Sequence, residues 1–498
     1  MLRRIAIAVL CMPVAALAQT PASPPAAART EPVALSFDAA RARLDSVSPT
    51  LRGAALDVRA SEEQEASLRT LNRPLVSASA SVITYQKSLS LDLTGQKNSF
   101  DSAANSFLDG LPAQFPGFEG VVQQVTGRIE QALPGLLGLI PDQLDFRTRD
   151  TVLRPNLTAV MPLYSGGAIP AAQRGAAAAS ALARAKQAGV RDLAQIRLVQ
   201  TYFGQQLAAA LLASSVETRD SLDRHLANAQ SLFREGVIPR SRVLEVQVAR
   251  DTAQRAVERA EMQAKTASDT LARLLDADGG VRPTTPLFVN TGSPAPLPDF
   301  LASATGAGHP QLLAADAARE MAGAGTDLAK SRLRPQAFAF GSYNLNRDDS
   351  IPVDPDWIVG VGVRYTLFSN VGRRHALNAA QAREAAAAEA GREARKTIEL
   401  ETIQAYNLTE AARRSFLLLD TNIVAAKENL RVQDIAFREG EGTASQLIDA
   451  RNALTLAQTQ RIAAAYEYVV TLAALLAASN RGDSFPDYLA RADRIAAP

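Results

Sequence analysis

The chain has few of the residues on which disulfide-stabilised domains and nucleic-acid-binding proteins depend. Cysteine occurs once, and aromatic residues make up only 5% of the 498 residues. The 53 Lys and Arg nearly balance the 51 Asp and Glu, which leaves a net charge of +2. The scarcity of cysteine excludes disulfides and thiolate metal sites. The near-neutral charge argues against a large nucleic-acid-binding surface, which needs a basic patch.

Long apolar runs are also missing, except at the N-terminus. Residues 1–18, MLRRIAIAVLCMPVAALA, combine a basic start, a short apolar run and small residues before a cleavage point, which predicts a signal peptide removed on export. Cys11 lies inside it, and the bulky Leu10 before it argues against lipid attachment. We expect a flexible segment at 19–33. No later run of 18 apolar residues predicts a transmembrane helix.

Residues for catalysis or metal binding are equally scarce. The three histidines, His225, His309 and His375, are scattered, and none has a carboxylate or histidine partner at metal-ligand spacing in the sequence. We therefore expect them on the surface or in packing roles. We find no phosphate-binding loop, nucleophile elbow or acid–base pair, so the sequence predicts no enzyme activity, no cofactor and no metal site.

The chain does contain an internal duplication. The tetrapeptide FREG starts at Phe233 and again at Phe437, each time at the end of an Ala-rich run. The same offset aligns further pairs: Leu163 with Leu367, Tyr202 with Tyr406, and Leu226 with Leu430. A second block repeats between 48–85 and 309–343 at a larger offset, so the first copy holds extra residues between its strands. Such self-similarity predicts two fused structural repeats.

This duplication predicts the domain organisation. Repeat 1 occupies 34–280 and carries an insertion at 86–147, and repeat 2 occupies 299–481. A linker at 281–298 joins them, and a tail follows at 482–498. The insertion is apolar over 106–144, which favours short helices packed at one end of the molecule or against neighbouring copies of the chain. A mobile surface decoration is the alternative.

Each repeat contains a very long helix. In the first copy, apolar residues recur at helical spacing over 167–235, with Leu193, Ile196 and Val199 as examples. Roughly 69 residues at ~1.5 Å each give a rod of about 100 Å, which cannot bury its apolar stripe without partner helices. Shorter helices are predicted at 34–72 and 241–276.

Each repeat also contains two strands of about 9–13 residues, the length of a tilted membrane-crossing strand. In 357–367, Trp357 and every second residue after it are apolar, while the residues between them are small or polar. The other three candidates lie near 75–85, 156–164 and 335–345. If Gly360 and Gly362 face water, we expect charged substitutions there to be tolerated.

A membrane sheet cannot leave open edges in lipid, and four strands are too few to close a barrel. An oligomer can close one, and three chains would supply twelve strands. The duplicated order, the segments MPLYSGG and YTLFSNVGRR where strand passes into long helix, and the two FREG turns resemble the TolC-like outer membrane efflux protein family. The resemblance covers nearly the whole mature chain.

The resemblance implies an α+β membrane protein: a homotrimer with a twelve-stranded β-barrel in outer-membrane lipid, four strands per chain, continued by a long helical tunnel through the periplasm. Such proteins are passive exit ducts for efflux or type I secretion in Gram-negative-type bacteria. Their expected partners are a periplasmic adaptor protein and an inner-membrane pump. A periplasmic coiled-coil structural or adaptor protein is the alternative, which leaves the amphipathic strands without a role.

The resemblance also implies a gate at the periplasmic mouth. Family members carry two acids one helical turn apart after the second turn; here Asp449 keeps one, but Gln446 replaces the other. Glu245 matches Asp449 in the first copy, and a carboxylate ring would favour cations. Gly442 stands where a basic latch residue is found in the family. Arg242, Arg240 or Arg438 is then a substitute, with Glu235, Glu439 or Glu441 as partner.

The two FREG turns are expected to form the mouth and to contact the adaptor. Gly236 and Gly440 should make the turns, since a reversal between antiparallel helices often needs a positive φ. Pro239 suits the start of a helix, where no hydrogen bond is lost. Ser241 and Ser445 follow the turns at matching positions.

Overall fold

The computed structural model describes residues 32–92, 143–346, 355–439 and 441–497. The helices are α1 Phe37–Val47, α2 Pro49–Leu68, α3 Ala168–Arg234, α4 Arg240–Leu274, α5 Leu297–Ala304, α6 Pro310–Ser331, α7 Arg373–Arg438, α8 Ala444–Ala478 and α9 Phe485–Ala490. The strands are β1 Val33–Leu35, β2 Leu75–Asp92, β3 Gln143–Tyr164, β4 Val281–Pro283, β5 Phe288–Asn290, β6 Gln336–Asn344, β7 Trp357–Arg364 and β8 Arg494–Ala496. Helix, strand pair, long helix and shorter helix thus follow in the same order twice.

The long helices α3 and α7 contain 67 and 66 residues, so each is about 100 Å long. Their Ala-rich sequences have high intrinsic helix propensity. Each runs antiparallel to the shorter helix that follows it, α4 or α8. Helix α8 is apolar and long enough to pass for a membrane span, but half of its most apolar window is buried inside the described fold.

The predicted single helix over 34–72 is wrong. Residues 33–35 form strand β1, and the helical stretch that follows is broken at Ser48, whose backbone is extended with φ −64° and ψ 117°. The cause is Pro49, because a residue before proline is disfavoured in the helical region. The Ser48 hydroxyl then caps α2 by accepting a hydrogen bond from the Leu51 amide.

Strands β2, β3, β6 and β7 form one antiparallel sheet in that order. The strands β2 and β3 contain 18 and 22 residues, far more than the predicted 9–13, and their pairing extends to Asp92 opposite Gln143. Both ends of the predicted insertion 86–147 therefore continue the ladder. The remainder of the insertion, where helices were predicted, lies outside the described residues, as do the signal peptide and the segment 19–31.

The two faces of this sheet differ as the alternation predicted. On one face, Val359, Val361 and Val363 are 70–73% exposed. Cross-strand partners share a face, so this apolar face also includes residues on the other three strands: Val76, Ala78, Leu157, Ala159, Met161 and Ala339. The opposite face is polar around Ser77, whose hydroxyl lies 2.8 Å from that of Thr158.

Two glycines on the polar face are packed rather than open. Gly360 lies opposite Phe340, and Gly362 lies opposite Phe338. A Cβ atom added to either glycine would lie 2.7 Å from the ring of its partner. The predicted tolerance of these positions assumed open space above each glycine, and a phenylalanine ring occupies that space instead.

The scarce aromatic residues concentrate in one core at mid-length of the long helices. The centroid of the Phe37 ring lies 4.9 Å from the ring centroid of Phe485 and 5.5 Å from that of Tyr202. The Tyr202 hydroxyl donates to the Leu35 carbonyl and accepts from the Thr284 amide. This core joins the start of the chain, the middle of α3 and the C-terminal residues.

The predicted linker and tail both contribute to this core. Strand β4 in the linker pairs in parallel with β1, and β5 pairs antiparallel with β8 in the tail. The buried Asn290 accepts a hydrogen bond from the Tyr468 hydroxyl and donates to the Tyr488 carbonyl. These two segments are thus structural parts of the fold. The fold contains the two predicted repeats, while their exact boundaries stay a prediction.

Candidate functional site

The first candidate tip is the turn between α3 and α4. Gly236 follows Glu235, the C-cap residue of α3, and has φ +77°, a conformation that favours glycine. Its amide donates to the Phe233 carbonyl, and the Val237 amide donates to the Leu232 carbonyl, which satisfies the free end of the helix. Pro239 is the extended residue that precedes α4.

The second tip, between α7 and α8, is built differently. The amides of Glu441 and Gly442 both donate to the Ala436 carbonyl, and Gly440 lies outside the described residues. A Cβ atom on Gly442 would lie 3.0 Å from the Phe437 backbone nitrogen. A latch side chain at Gly442 would therefore strain the turn.

A capping box starts helix α8. The Thr443 hydroxyl accepts from the Gln446 amide, and the Gln446 side-chain oxygen accepts from the Thr443 amide at 2.9 Å. These bonds satisfy donors at the start of the helix that have no partner within it. Gln446 thus has a local structural role, although its side chain is exposed. Ser445 is exposed beside it, as Ser241 is at the start of α4.

The two candidate gate acids have different surroundings. Glu245 is exposed and lies 3.1 Å from the Arg242 guanidinium, one turn earlier in α4. Asp449 is exposed on α8, and within the described part of the chain no ion pair involves it. The charge of Asp449 is therefore the less compensated of the two.

Two of the three predicted substitutes for the latch make other contacts. Arg242 pairs with Glu245, and Arg438 pairs with Asp434 at 2.6 Å. Both partners lie one turn away in the same helix. Among the described residues, no ion pair involves the predicted partners, which are Glu235, Glu439 and Glu441.

Both tips belong to one small apolar cluster. Its buried members come from α3, α4, α7 and α8: Ala229, Val246, Phe437, Ala444 and Leu447. Ile238, Val243 and Ile448 pack against them. The two turns therefore lie side by side at one end of the helices, although 204 residues separate the two FREG segments.

A polar groove lies next to this cluster, between α3 and α7. Its volume is about 470 Å³, and its lining includes Arg224, His225, Asn228, Lys427, Arg431, Asp434 and Arg438. The Nδ1 atom of His225 lies 3.5 Å from Oδ1 of Asp434. His225 is buried, which agrees with the expected packing role, and the fold adds a carboxylate contact that spacing in the sequence did not indicate.

No pattern in the sequence indicates this pair. His225 and Asp434 are far apart in the chain, and the duplication does not repeat either residue, since Asn429 and Gln230 stand at the matching positions. His309 packs elsewhere, where its Nδ1 accepts from the Gln311 amide at the start of α6. Within the described residues, no cluster of three His, Cys, Asp or Glu side chains has a geometry that could hold a metal.

Comparison with known proteins places this geometry in a family. A sequence profile described as outer membrane efflux protein matches residues 148–277 and 301–481, more than half of the chain. A search of curated protein sequences finds no match.

Solved structures share the fold at low sequence identity. A membrane protein from Pseudomonas aeruginosa is 16% identical with a TM-score of 0.71, over 91% of this chain and 93% of that one. The outer membrane protein VceC from Vibrio cholerae is 13% identical with a TM-score of 0.69, over 89% and 95%. The Neisseria gonorrhoeae MtrE outer membrane channel, in an open state, is 15% identical with a TM-score of 0.66, over 90% and 89%.

The duplicated long helices, the amphipathic four-stranded sheet and the profile match agree with one another. The sheet has the exposed apolar face of a membrane-spanning barrel, and the long helices have the length of a tunnel beneath it. The chain therefore belongs to the outer membrane efflux protein family, and it is an exit duct of an efflux system in the outer membrane.

Proposed function

We propose that three copies of the chain assemble into a duct with a closed twelve-stranded barrel. The observation that supports this is the sheet itself, which presents an exposed apolar face and ends in β2 and β7. Unpaired strand edges are not tolerated in lipid, so β2 of one chain must pair with β7 of the next. The apolar face then contacts lipid, and the face with Ser77 and Thr158 lines the lumen.

The helices continue this duct into the periplasm. Four helices per chain, α3 with α4 and α7 with α8, give twelve in a trimer. Their apolar side chains that are exposed in the single chain, such as Val248, Leu418 and Val424, would be covered by neighbouring chains. A purely periplasmic coiled-coil protein would leave the amphipathic sheet unexplained.

The tips are the proposed periplasmic mouth and the site of contact with an adaptor. The exposed residues Gly236, Pro239, Ser241 and Ser445 would lie at this end and be accessible to a partner. An inner-membrane pump would supply the energy, because a passive duct supplies none. The groove beside the tips adds a basic lining from Arg224, Lys427, Arg431 and Arg438.

Asp449 is the proposed selectivity residue. Three copies around a narrow mouth would place three carboxylates together, which attracts cations and repels anions. We expect Asp449→Ala to lower the cation preference of single channels in planar bilayers, measured as a shift in reversal potential under a salt gradient. Glu245→Ala is the matched comparison, and its effect should be smaller because Arg242 lies beside that charge.

Different results would refute the proposed gate and the proposed duct. Channels with an unchanged cation preference in Asp449→Ala would refute the carboxylate ring while leaving the duct in place. Recovery of the native protein from the periplasm without detergent would refute the duct itself. Crosslinking of the purified protein should give a trimer and no larger closed species.

A further inference from the structure

His225 and Asp434 make a contact between the two helical hairpins that carry the tips. His225 belongs to α3 and Asp434 to α7, and their side chains are only 10% and 22% exposed. The facing atoms, Nδ1 and Oδ1, are both buried, and neither has a hydrogen-bond partner at their 3.5 Å separation. Buried polar atoms without partners are costly, so a rearrangement that gives them partners would lower the free energy.

Cations from three helices surround this contact. Helix α3 contributes Arg224; α7 contributes Lys427, Arg431 and Arg438; and α8 contributes Arg451. Arg431 pairs with Glu428, Arg451 with Glu217, and Arg438 takes the other oxygen of Asp434. Asp434 is therefore the carboxylate that faces His225, and a basic residue already shares it.

A proton on His225 would add a further positive charge to this crowded site. The imidazolium would gain attraction to Asp434, but it would meet the repulsion of Arg224, Arg438 and Arg451. It would also lose hydration, because the site is buried. The Ser221 hydroxyl, 3.3 Å from Nε2, offers only a weak local partner.

Together, these effects favour the neutral form of the His225 ring while α3 and α7 are packed together. Burial is the largest cause that lowers the pKa of His225 below its usual 6.5. The three arginines also lower this pKa, while Asp434 raises it. A lowered pKa means that the packed site binds a proton less readily than a solvated histidine does. The stability of the packed contact is therefore lost as the pH falls through 6.5 towards the lowered value.

The position of the contact lets it act on the tips. His225 lies near the C-terminal end of α3, and Asp434 lies one turn before the end of α7. The apolar cluster with Ala229 and Phe437, which joins the two turns, is adjacent along the same helices. Separating α3 from α7 at His225 would thus displace both turns.

We propose that the His225–Asp434 contact is an acid-sensitive joint of the periplasmic mouth. When His225 gains a proton it moves towards water, α3 and α7 separate at this point, and the mouth widens. The proposal rests on the proposed duct, because a wider mouth has meaning only in a channel. Acidification of the periplasm would then favour opening even before a partner binds.

The experiment compares full-length protein in planar bilayers at about pH 7.5 and about pH 5.5. Wild type should conduct more at acid pH, by up to roughly tenfold for each unit by which the pKa differs between the two arrangements. His225→Gln, which cannot titrate, should lose this response. His375→Gln, at an exposed position early in α7, is the matched control and should respond like wild type.

Hydrogen exchange of the same proteins in detergent gives a readout independent of conduction. At acid pH, backbone amides in 221–234 and 427–438 should exchange faster in wild type than in His225→Gln measured at the same pH. A pH response retained in His225→Gln, or a smaller current at acid pH in wild type, overturns the joint. Absence of any current from all proteins overturns the duct, and exchange then still decides the joint.

Discussion

At the scale of single residues, Gln446 shows how a local role and a functional position can coincide. It stands one turn before Asp449, where a second carboxylate would add to the charge of the mouth. Its side chain instead completes the capping box with Thr443. The sequence identified the position, but only the fold shows the capping hydrogen bond that glutamine makes there.

Gln446→Glu should therefore keep the cap and add charge. Glutamate at this position forms the same capping box, so we expect unchanged thermal stability. The added carboxylate should increase the cation preference in bilayer recordings. Gln446→Ala is the control, and it should cost about 0.5–2 kcal/mol through loss of the cap without increasing that preference. A glutamate variant with wild-type selectivity would place residue 446 away from the lumen.

At the scale of elements, the sheet shows what alternation predicts and what it leaves out. Alternating apolar residues correctly assigned the faces of β7, because side chains of a strand point to opposite sides in turn. The pairing partner of each residue depends on register, which alternation does not fix. Only the pairing of β6 with β7 shows that Phe338 lies over Gly362 and Phe340 over Gly360.

Gly362→Ala should destabilise this strand pair. The new methyl group would lie 2.7 Å from the Phe338 ring, so the ring must move, at a cost of about 1–3 kcal/mol. Thermal unfolding in detergent, followed by the β-sheet circular dichroism signal, measures the effect. Gly341→Ala is the matched control on the neighbouring strand, since its nearest contact would be an ordinary 3.6 Å. Equal melting temperatures for both variants would contradict this packing.

At the scale of the whole molecule, the mid-length core decides how the parts hold together. It joins α1, the middle of α3, the linker and the C-terminal segment. Asp192 of α3 lies at its edge, where a Cβ on Gly482 would be 3.4 Å from a carboxylate oxygen. The neighbouring Asp483 pairs with Arg41 at 2.6 Å. Two acids thus meet where the C-terminal segment packs on the long helix.

Asp192 should make the stability of the molecule depend on pH. Burial, and then repulsion from Asp483, raises the pKa of Asp192 to about 6. Its protonated form suits the folded site, so its contribution to stability is present below its ordinary 3.8 and is lost as the pH rises through about 6. Asp192→Asn should therefore stabilise the protein near pH 8, by on the order of 1 kcal/mol after screening.

The matched control for Asp192→Asn is Asp278→Asn, at an exposed position. Thermal unfolding near pH 8 and near pH 4.5 compares the stability of the two variants. We expect a gain for Asp192→Asn at the higher pH that shrinks at the lower one, and no gain for the control. A gain of equal size at both values would mean that the asparagine acts through packing rather than charge.

The sequence by itself determined the elements that local physics controls. The duplication fixed the order of helices and strands, and the spacing of apolar residues predicted α3 over 167–235 to within a residue at each end. The alternation around Trp357 identified the face of β7 that suits lipid. Each of these signals is short in range, because helix and strand periodicity follow from the backbone of adjacent residues.

Tertiary structure decided what depends on residues distant in the chain. The contact of His225 with Asp434, the phenylalanine rings over Gly360 and Gly362, and the linker and tail packed into one core all join segments far apart in sequence. The prediction of a single helix over 34–72 was wrong for a local reason, because Pro49 breaks the helix despite the helical pattern. Contacts between distant segments depend on register and packing, and a single sequence does not encode either as a visible pattern.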